Sequence, residues 1–152
     1  MKTIAENKKA LFDYEILEKF EAGISLSGQE VKSIKTGRIN LKGCYITLKP
    51  SQKELPEVFL IGCNIPPYQP KNAPKEYNPQ RERKLLLKKE EINHLIGKTN
   101  QKGLTIIPTR VYTRKGKIKI EIGVAKGKKE YNKKELIKKR ETDREIKRNL
   151  NY

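Results

Sequence analysis

Apolar and charged residues alternate most regularly along two neighbouring stretches, Leu104–Arg114 and Lys117–Ala125. A period of two is typical of a strand with one buried face. On the second stretch the apolar positions are Ile118, Ile120, Ile122 and Val124, and the charged positions are Lys117, Lys119 and Glu121. Lys115 and Gly116, between the stretches, are a tight hairpin signal. Pro108 predicts an edge or a bulge in the first strand, because proline has no backbone N–H to donate.

The same alternation predicts a strand over Asp13–Ala22, with Glu21 on its outward face. Two further strand-like stretches, Cys44–Lys49 and Glu57–Asn64, are separated by turn residues and are expected to form a hairpin. The first twelve residues contain few apolar positions, and we expect them to be mostly irregular.

Two short helices are predicted between these strands. Ser27 and Glu30 have the spacing of a capping box and Gly37 is a stop signal, so we expect a helix over about Gly28–Thr36. Apolar residues at helical spacing predict a second helix over Lys88–Gln101.

A proline-rich stretch, Ile65–Arg83, lies between the hairpin and the second helix. It carries five prolines together with Tyr68, Tyr77 and several basic residues. A structureless stretch of this length inside a compact domain is usually a functional loop, and a plain connector is the alternative.

At least five short strands with helices at their joints indicate a mainly β (α+β) fold. An OB-fold-like antiparallel β-barrel with short flanking helices fits these elements better than a sandwich. We assign the barrel to residues 1–127. A basic C-terminal tail takes residues 128–152, because apolar residues become sparse there while lysine, arginine and glutamate dominate.

The chain has 35 lysine and arginine residues against 18 acidic residues, a formal net charge of +17. Self-repulsion of this size destabilises a compact state, so a polyanionic partner is expected. No apolar run is long enough to span a bilayer, and the first residues are too polar for a signal peptide. We therefore expect a cytoplasmic protein without membrane contact. Cys44 and Cys63 are too few for a disulfide framework or a zinc site.

Candidate catalytic groups are few. His94 is the only histidine and is expected to be a partly exposed helix residue. Glu90 and Glu91 are adjacent on a helix and diverge by about 100°, which disfavours joint acid–base work. No glycine motif for binding nucleotide phosphates occurs. The sequence therefore disfavours an enzyme and indicates no cofactor and no metal.

A binding surface is the better hypothesis. The outward residues of the last two predicted strands are basic or aromatic: Arg110, Tyr112, Arg114, Lys117 and Lys119. OB-type barrels offer such cations to phosphates and such rings to bases, and one stacked base contributes about 1–3 kcal/mol. For any single tyrosine a packing role is equally open.

Four segments resemble those of the SmpB family of bacterial trans-translation. They are FEAG at Phe20–Gly23, GQEVKS at Gly28–Ser33, RKLLL at Arg83–Leu87 and GVAKGKK at Gly123–Lys129. The resemblance covers nearly the whole chain. It implies an OB-like barrel that binds the tRNA-like domain of transfer-messenger RNA (SsrA) and replaces codon–anticodon pairing on a stalled ribosome. It also implies an adaptor that delivers this RNA for tagging of the nascent peptide.

The resemblance places RNA contacts on particular residues. Glu21, Leu86 and Lys119 match family positions, and Glu21 and Lys119 are also outward by alternation. The predicted RNA-binding residues are Glu21, Leu86, Lys119, Arg81, Arg83, Arg110 and Tyr112.

The resemblance also implies that the tail enters the empty messenger channel beside the decoding region of the small subunit. Its predicted ribosome-binding residues are Lys128, Lys129, Tyr131, Asn132, Lys133, Lys134, Lys138, Lys139 and Arg140. The chain departs from the family pattern at Asn132 and Asn78, where aspartate is usual, and at Lys134, where arginine is usual. We expect a monomer whose tail is disordered when free and helical on the ribosome.

Two rival hypotheses stay open. A structural ribosomal protein with a basic extension would have the same composition, but it would accompany ribosomes at unit stoichiometry. An RNA nuclease or modifying enzyme would give reaction products from structured RNA.

Overall fold

Seven strands pair into one antiparallel sheet in the computed structural model, which describes residues 1–128. The strands are β1 (Lys2–Glu6), β2 (Tyr14–Ile24), β3 (Tyr45–Lys49), β4 (Glu57–Ile61), β5 (Arg83–Leu86), β6 (Leu104–Arg114) and β7 (Lys117–Gly127). The helices are α1 (Lys8–Asp13), α2 (Gly28–Lys35) and α3 (Lys89–Thr99). The order across the sheet is β1-β6-β7-β2-β5-β4-β3. The predicted tail residues from 129 onward lie outside the described residues.

The three longest strands lie side by side in the sheet. The predicted alternation holds along β7, but in β2 and β6 a bulge shifts it by one residue, so Ile16 and Ile107 lie on the faces opposite to those of Phe20 and Val111. β7 pairs with β6 on one side and with β2 on the other. The inward residues Ile120, Ile122 and Val124 are buried, whereas Glu21 on the outer face of β2 is exposed. Lys115 and Gly116 turn the chain with φ of 52° and 77°. Two consecutive positive φ values are those of a type I′ hairpin, whose twist matches that of its strands.

Two bulges flank the same point of β7. The pairing shifts between Pro108 and Arg110 on one neighbouring strand and between Ile16 and Glu18 on the other. Pro108 thus lies beside a bulge, which is one of the two predicted outcomes. The other, an edge position, is not observed, because β6 lies between β1 and β7. The two shifts lie on either side of Gly123 along β7, and bulges of this kind increase the local bend and twist of a sheet.

The shorter helices and strands pack beside the three long strands. Ser27 and Glu30 form the predicted capping box at the start of α2, with hydrogen bonds of 3.3 and 2.8 Å. β3 and β4 form the predicted hairpin. α3 buries Leu95 completely. The buried apolar cluster consists of Ala22, Ile34, Leu41, Cys44, Ile46, Val58, Leu60, Cys63, Ile65, Leu85, Leu95, Ile106, Val111, Ile120, Ile122 and Val124.

The expectation of an irregular N-terminus is wrong. Residues 2–6 pair with β6, and α1 begins after Asn7. The Asn7 side chain accepts a hydrogen bond from the Ala10 amide at 3.3 Å and donates one to the Pro108 carbonyl at 2.9 Å. The pairing with β6 and the hydrogen bond to Pro108 join positions about a hundred residues apart, so no local apolar pattern predicts them. β5 was likewise not predicted, because it lies at the end of the proline-rich stretch.

The sheet is not a closed barrel. To close the sheet, β3 at one end of the strand order would have to pair with β6. β1 already pairs with that edge of β6, so β3 cannot pair with it. β3 packs near β6 without a ladder between them in residues 1–128. The mainly antiparallel β architecture with short helices is therefore confirmed, and the closure that the barrel prediction requires is not.

Replacing Gly123 with alanine tests whether the position between the two bulges requires glycine. An added Cβ would lie 2.9 Å from Ile16 Cγ2 and 3.3 Å from the Glu18 carbonyl oxygen. Overpacking of this kind costs about 1–3 kcal/mol, so we expect that loss in the free energy of unfolding measured by denaturant titration. Gly127→Ala in the same strand is the control, because its added Cβ meets nothing within 4 Å. Equal stability of the two variants would contradict the interpretation.

Candidate nucleic-acid interface

A hydrogen-bonded carboxylate lies on the outer face of the three long strands. Glu21 accepts a hydrogen bond from the Tyr112 hydroxyl at 2.8 Å, and the Arg114 guanidinium donates to both its oxygens at 3.4 and 3.2 Å. The hydrogen bond from Tyr112, together with the charges of Arg114 and Lys119, lowers the pKa of Glu21 although some desolvation opposes it. Glu21 is therefore an oriented, ionised acceptor at neutral pH, with its side chain partly exposed.

Tyr112, which donates the hydrogen bond to this carboxylate, is a buried residue. Only 4% of the residue is exposed, and the Arg110 guanidinium lies 5.0 Å from the ring centroid. Burial, followed by the hydrogen bond to Glu21, raises the pKa of Tyr112 to about 12, so the hydroxyl stays a donor. Tyr112 lies on the predicted outer face, paired with Lys119, but its ring is buried there rather than exposed. Direct base stacking does not fit this position.

Arg110 is also engaged within the protein. Its Nε lies 3.3 Å from Glu121 Oε2, and the Thr109 hydroxyl donates to the same oxygen at 2.6 Å. The Arg110 guanidinium thus bridges Glu121 and the ring of Tyr112, and it remains partly exposed. Its predicted contact with RNA would therefore add to an existing ion pair.

One row of residues crosses three strands beside Glu21. Gly23 on β2 pairs with Leu86 on β5 and with Lys119 on β7, so the three positions share one face. Leu86 is 55% exposed. Apolar patterning does not predict this exposure, because a leucine in an apolar run is usually buried. Lys119 is half-buried and forms no ion pair within residues 1–128.

Gly23 is the residue of this row that the sequence reasoning missed. A Cβ at this position would lie 3.3 Å from the Leu86 Cβ, so the absence of a side chain lets Leu86 lie against β2. The space between Leu86 and Lys119 is a cavity of about 420 Å³. A glycine in the interior of a strand pattern, as in FEAG, is the signal that predicts such a close approach.

The proline-rich loop is fastened by a buried carboxylate. Glu30 accepts from Arg81 Nη2 and from Arg83 Nε, each at 2.6 Å. Arg83 also donates to the carbonyls of Cys63 and Pro79, at 2.7 and 2.9 Å, and none of it is exposed. The prediction that Arg83 lies on the RNA-binding surface is therefore wrong in this structure. The side chain of Arg81 is 45% exposed.

The loop tyrosines take part in the same fastening. The Tyr77 hydroxyl donates to the Ile65 carbonyl at 2.7 Å, which holds the two ends of the loop together. Gln29 Oε1 accepts from the amides of Tyr68 and Gln69 at 3.1 and 3.2 Å. The loop has no helix or strand of its own but is tied to α2.

The remaining chemistry-bearing residues have other surroundings. His94 on α3 is 45% exposed, as expected, and its Nε2 lies 2.6 Å from Glu18 Oε2. Cys44 and Cys63 are buried free thiols. Each thiol donates to the Asn40 carbonyl at 3.5 Å. The interaction between the two thiols, ahead of burial, raises the pKa of Cys44 and lowers that of Cys63. Among residues 1–128 no three His, Cys, Asp or Glu side chains are placed to hold a metal ion. No helix within that range is long and apolar enough to span a membrane.

The outer face thus combines an ionised acceptor, a lysine with no ion pair among residues 1–128 and an exposed leucine on a chain of net charge +17. These features are typical of a small basic β-sheet protein of the nucleic-acid-binding class. The sequence profile of the SmpB protein family matches residues 4–152. This chain belongs to the SmpB family.

Individual relatives are similar along almost the whole chain. The SsrA-binding protein of Thermosipho africanus is 51% identical over 147 residues, which cover 96% of this chain and 95% of that protein. The SsrA-binding protein of a Sulfurihydrogenibium species is 49% identical over 149 residues, covering 98% and 94%. A chain from a solved structure described as "tmRNA-SmpB: a journey to the center of the bacterial ribosome" has 42% identity and a TM-score of 0.66, covering 83% of this chain and 85% of that chain.

The Glu30 cluster gives the stability of the protein a defined dependence on pH. Burial alone would raise the pKa of Glu30, but hydrogen bonds from Arg81, the Ser27 amide and Arg83 together lower it below the ordinary value of 4.5. The stabilisation is therefore complete above about pH 4.5 and is lost as the pH falls through the lower folded-state pKa. We expect wild-type unfolding free energy to fall steeply over this acid range.

Glu30→Gln should remove most of that dependence and cost about 3–5 kcal/mol near neutral pH, because two guanidinium groups lose their buried counter-charge. Denaturant titrations from pH 3 to 7 provide the measurement. Glu57→Gln, which removes a partly exposed carboxylate 3.6 Å from Lys84, is the control and should cost less than about 1 kcal/mol. A pH profile unchanged by Glu30→Gln would rule out the cluster as its source.

Proposed function

We propose that this chain is an RNA-binding adaptor of trans-translation that binds the tRNA-like domain of SsrA RNA and delivers it to stalled ribosomes. The supporting observation is the outer face around Glu21, Leu86 and Lys119, which three strands bring together. Relatives about 50% identical to it are SsrA-binding proteins. The solved structure whose chain is 42% identical is described as "tmRNA-SmpB: a journey to the center of the bacterial ribosome".

Each residue of the face has a distinct part in this proposal. Lys119 neutralises a phosphate, since its ammonium has no ion pair within residues 1–128. Glu21 accepts a hydrogen bond from a base amino group or a ribose 2′-hydroxyl. Leu86 offers an apolar surface to a ribose or base. Tyr112 holds Glu21 in place, and Arg110 lies over the ring of Tyr112. The exposed part of Arg81 adds a cation from the proline-rich loop.

The adaptor requires recognition and delivery without a reaction of its own, so we assign no catalytic residue and no cofactor. The curved sheet would present its outer face in the manner of an OB-fold, and the place of action is the cytoplasm, where ribosomes translate.

A constituent ribosomal protein would have unit stoichiometry on ribosomes, whereas the proposed adaptor is substoichiometric and copurifies with one small RNA. Sequencing of the copurifying RNA separates these cases.

Substitution of Lys119 tests the outer face directly. Lys119→Ala should weaken binding to the SsrA tRNA-like domain and reduce the slope of log affinity on log salt by roughly 0.7–0.9, the value for one phosphate contact. Filter binding at several salt concentrations gives both quantities. Lys102→Ala removes an equal charge after α3 and serves as the control. Weaker binding with an unchanged slope would show that Lys119 does not neutralise a phosphate.

Glu21→Gln in the same assay tests whether Glu21 accepts a hydrogen bond from RNA or serves only as a counter-ion to the cations around it. The amide keeps the shape but loses the ionised acceptor, so we expect lower affinity despite the more basic surface. Higher affinity would mean that Glu21 only repels RNA.

Truncation after Lys128 tests the division of labour between body and tail. Every described strand remains, and the Lys128 amide keeps its hydrogen bond to the Asp13 carbonyl at 3.0 Å. We expect binding to the SsrA domain within about threefold of the full chain, together with loss of tagging in a reconstituted stalled-translation assay. This proposal assigns ribosome contact to the tail residues named above. Tagging by the truncated protein would remove the tail from the mechanism.

A further inference from the structure

The two cysteines of the chain lie together at the open end of the β3–β4 hairpin. Cys44 comes directly before β3, and Cys63 comes two residues after the end of β4. The Asn40 amide donates to the Asn64 carbonyl at 3.1 Å, so the segments that carry the cysteines are held together on both sides. Two thiols that are distant in sequence are therefore neighbours in the fold.

A glycine precedes each cysteine and lets the two backbones come close. Gly43 and Gly62 both have a φ of +78°, a conformation that favours glycine. A Cβ added at Gly62 would lie 3.5 Å from the Gly43 carbonyl oxygen and 4.0 Å from the Cys44 Cα. The two segments are therefore in contact at the positions that carry the thiols.

The two thiols also share one hydrogen-bond acceptor. Cys44 Sγ and Cys63 Sγ each lie 3.5 Å from the Asn40 carbonyl oxygen, so the two side chains converge on one point. The effect of each thiol on the pKa of the other exceeds that of burial, as expected for groups in contact. Cysteines whose side chains diverge cannot be bridged without movement of the backbone, but these two converge.

Buried thiols are usually inert, but two features of this pair favour a reaction. The Arg83 guanidinium donates to the Cys63 carbonyl at 2.7 Å, and its charge acts with Cys44 to lower the pKa of Cys63, which favours the reactive thiolate. Cys44 is 6% exposed and lines a cavity of about 570 Å³ between α1 and β6. A reagent as small as hydrogen peroxide can therefore approach the pair from the side of Cys44.

We propose that Cys44 and Cys63 are a reversible oxidation site, at which hydrogen peroxide converts the two thiols into one intramolecular disulfide. The thiolate attacks one peroxide oxygen, the O–O bond breaks, and a sulfenic acid and hydroxide form. The second thiol attacks the sulfenic sulfur, which forms the S–S bond and releases water. The proton lost by the first thiol neutralises the hydroxide, so two thiols lose two electrons and one peroxide becomes two waters. A dithiol reductant restores both thiols by exchange.

The disulfide would cross-link the two ends of the β3–β4 hairpin and leave the outer face untouched. The Cys63 carbonyl binds Arg83, the first residue of β5, so a cross-link that fits the native backbone preserves the position of Leu86. A disulfide restricts the unfolded chain and thereby stabilises the folded state. We therefore expect the oxidised protein to be more stable and to keep its affinity for RNA.

Mass spectrometry of the full chain tests the reaction. The reduced protein is treated with hydrogen peroxide in native buffer, and the remaining thiols are then blocked with N-ethylmaleimide in denaturant. Wild type should lose both thiols together and become lighter by two hydrogen atoms, a change that dithiothreitol reverses. A non-reducing peptide map should show Cys44 joined to Cys63. Thiols that stay unreacted, or that become sulfinic acids without a disulfide, would overturn the proposal.

Cys44→Ser and Cys63→Ser are the matched controls, because each leaves one thiol and allows no intramolecular disulfide. Neither variant should become lighter by two hydrogen atoms, and a sulfenic acid on the remaining thiol should be trapped by dimedone. Wild-type protein that gives only disulfide-linked dimers would contradict the intramolecular pairing.

Thermal unfolding checks that the disulfide fits the folded protein. Followed by circular dichroism, oxidised wild type should unfold at a midpoint higher than reduced wild type by about 5 °C or more. The double variant Cys44→Ala/Cys63→Ala, treated with peroxide in the same way, should show no shift, which excludes an effect of oxidation at Met1, the only methionine. An equal or lower midpoint for oxidised wild type would overturn the proposal.

RNA binding separates this inference from the proposed function. Filter binding of the SsrA tRNA-like domain to the oxidised and the reduced chain should agree within about threefold. A larger loss on oxidation would show that the cross-link disturbs Arg83 and does not fit the native backbone. Absence of binding by both forms would defeat the proposed function and leave the oxidation site, which the mass measurements and the thermal midpoints support or overturn by themselves.

Discussion

The ion pairs of Glu30 hold together parts of the chain that are distant in sequence. Its carboxylate is almost completely buried at the start of α2 and accepts from Arg81 and Arg83, whose other donors reach Ser25, Cys63 and Pro79. A charge inside a protein is tolerated only when its partners are complete, and among residues 1–128 no buried side-chain nitrogen or oxygen lacks one. This cluster therefore determines where the proline-rich loop ends and where β5 begins.

β5 in turn positions the outer face. Arg83 is its first residue, and three residues later Leu86 emerges beside Gly23, in line with Lys119. An interior ion pair thus sets the register of an exposed leucine. The carboxylate of Glu21 depends on a second group of contacts, in which Tyr112 and Arg114 come from β6, on the far side of β7. Recognition groups held by packed strands lose little freedom on binding, which favours affinity.

The cations of the outer face are of two kinds. Arg114 and Arg110 are already paired with Glu21 and Glu121, whereas Lys119 forms no ion pair within residues 1–128. The paired guanidinium groups are suited to orienting hydrogen bonds, and Lys119 is suited to a phosphate. An excess of basic residues on so short a chain is consistent with more than one contact to RNA.

By itself the sequence determined the local elements: the alternation of β7 and that of β2 and β6 beyond their bulges, the Lys115–Gly116 turn, the capping box of α2 and the outward positions of Glu21 and Lys119. These depend on neighbours a few residues away, so periodicity reports them. Only the tertiary structure decided that β1 pairs with β6, that the sheet stays open, that Leu86 is exposed, and that Arg83 and Tyr112 are buried. A strand pattern shows which residues share a face, but the burial of a long side chain depends on which distant strand or loop covers it.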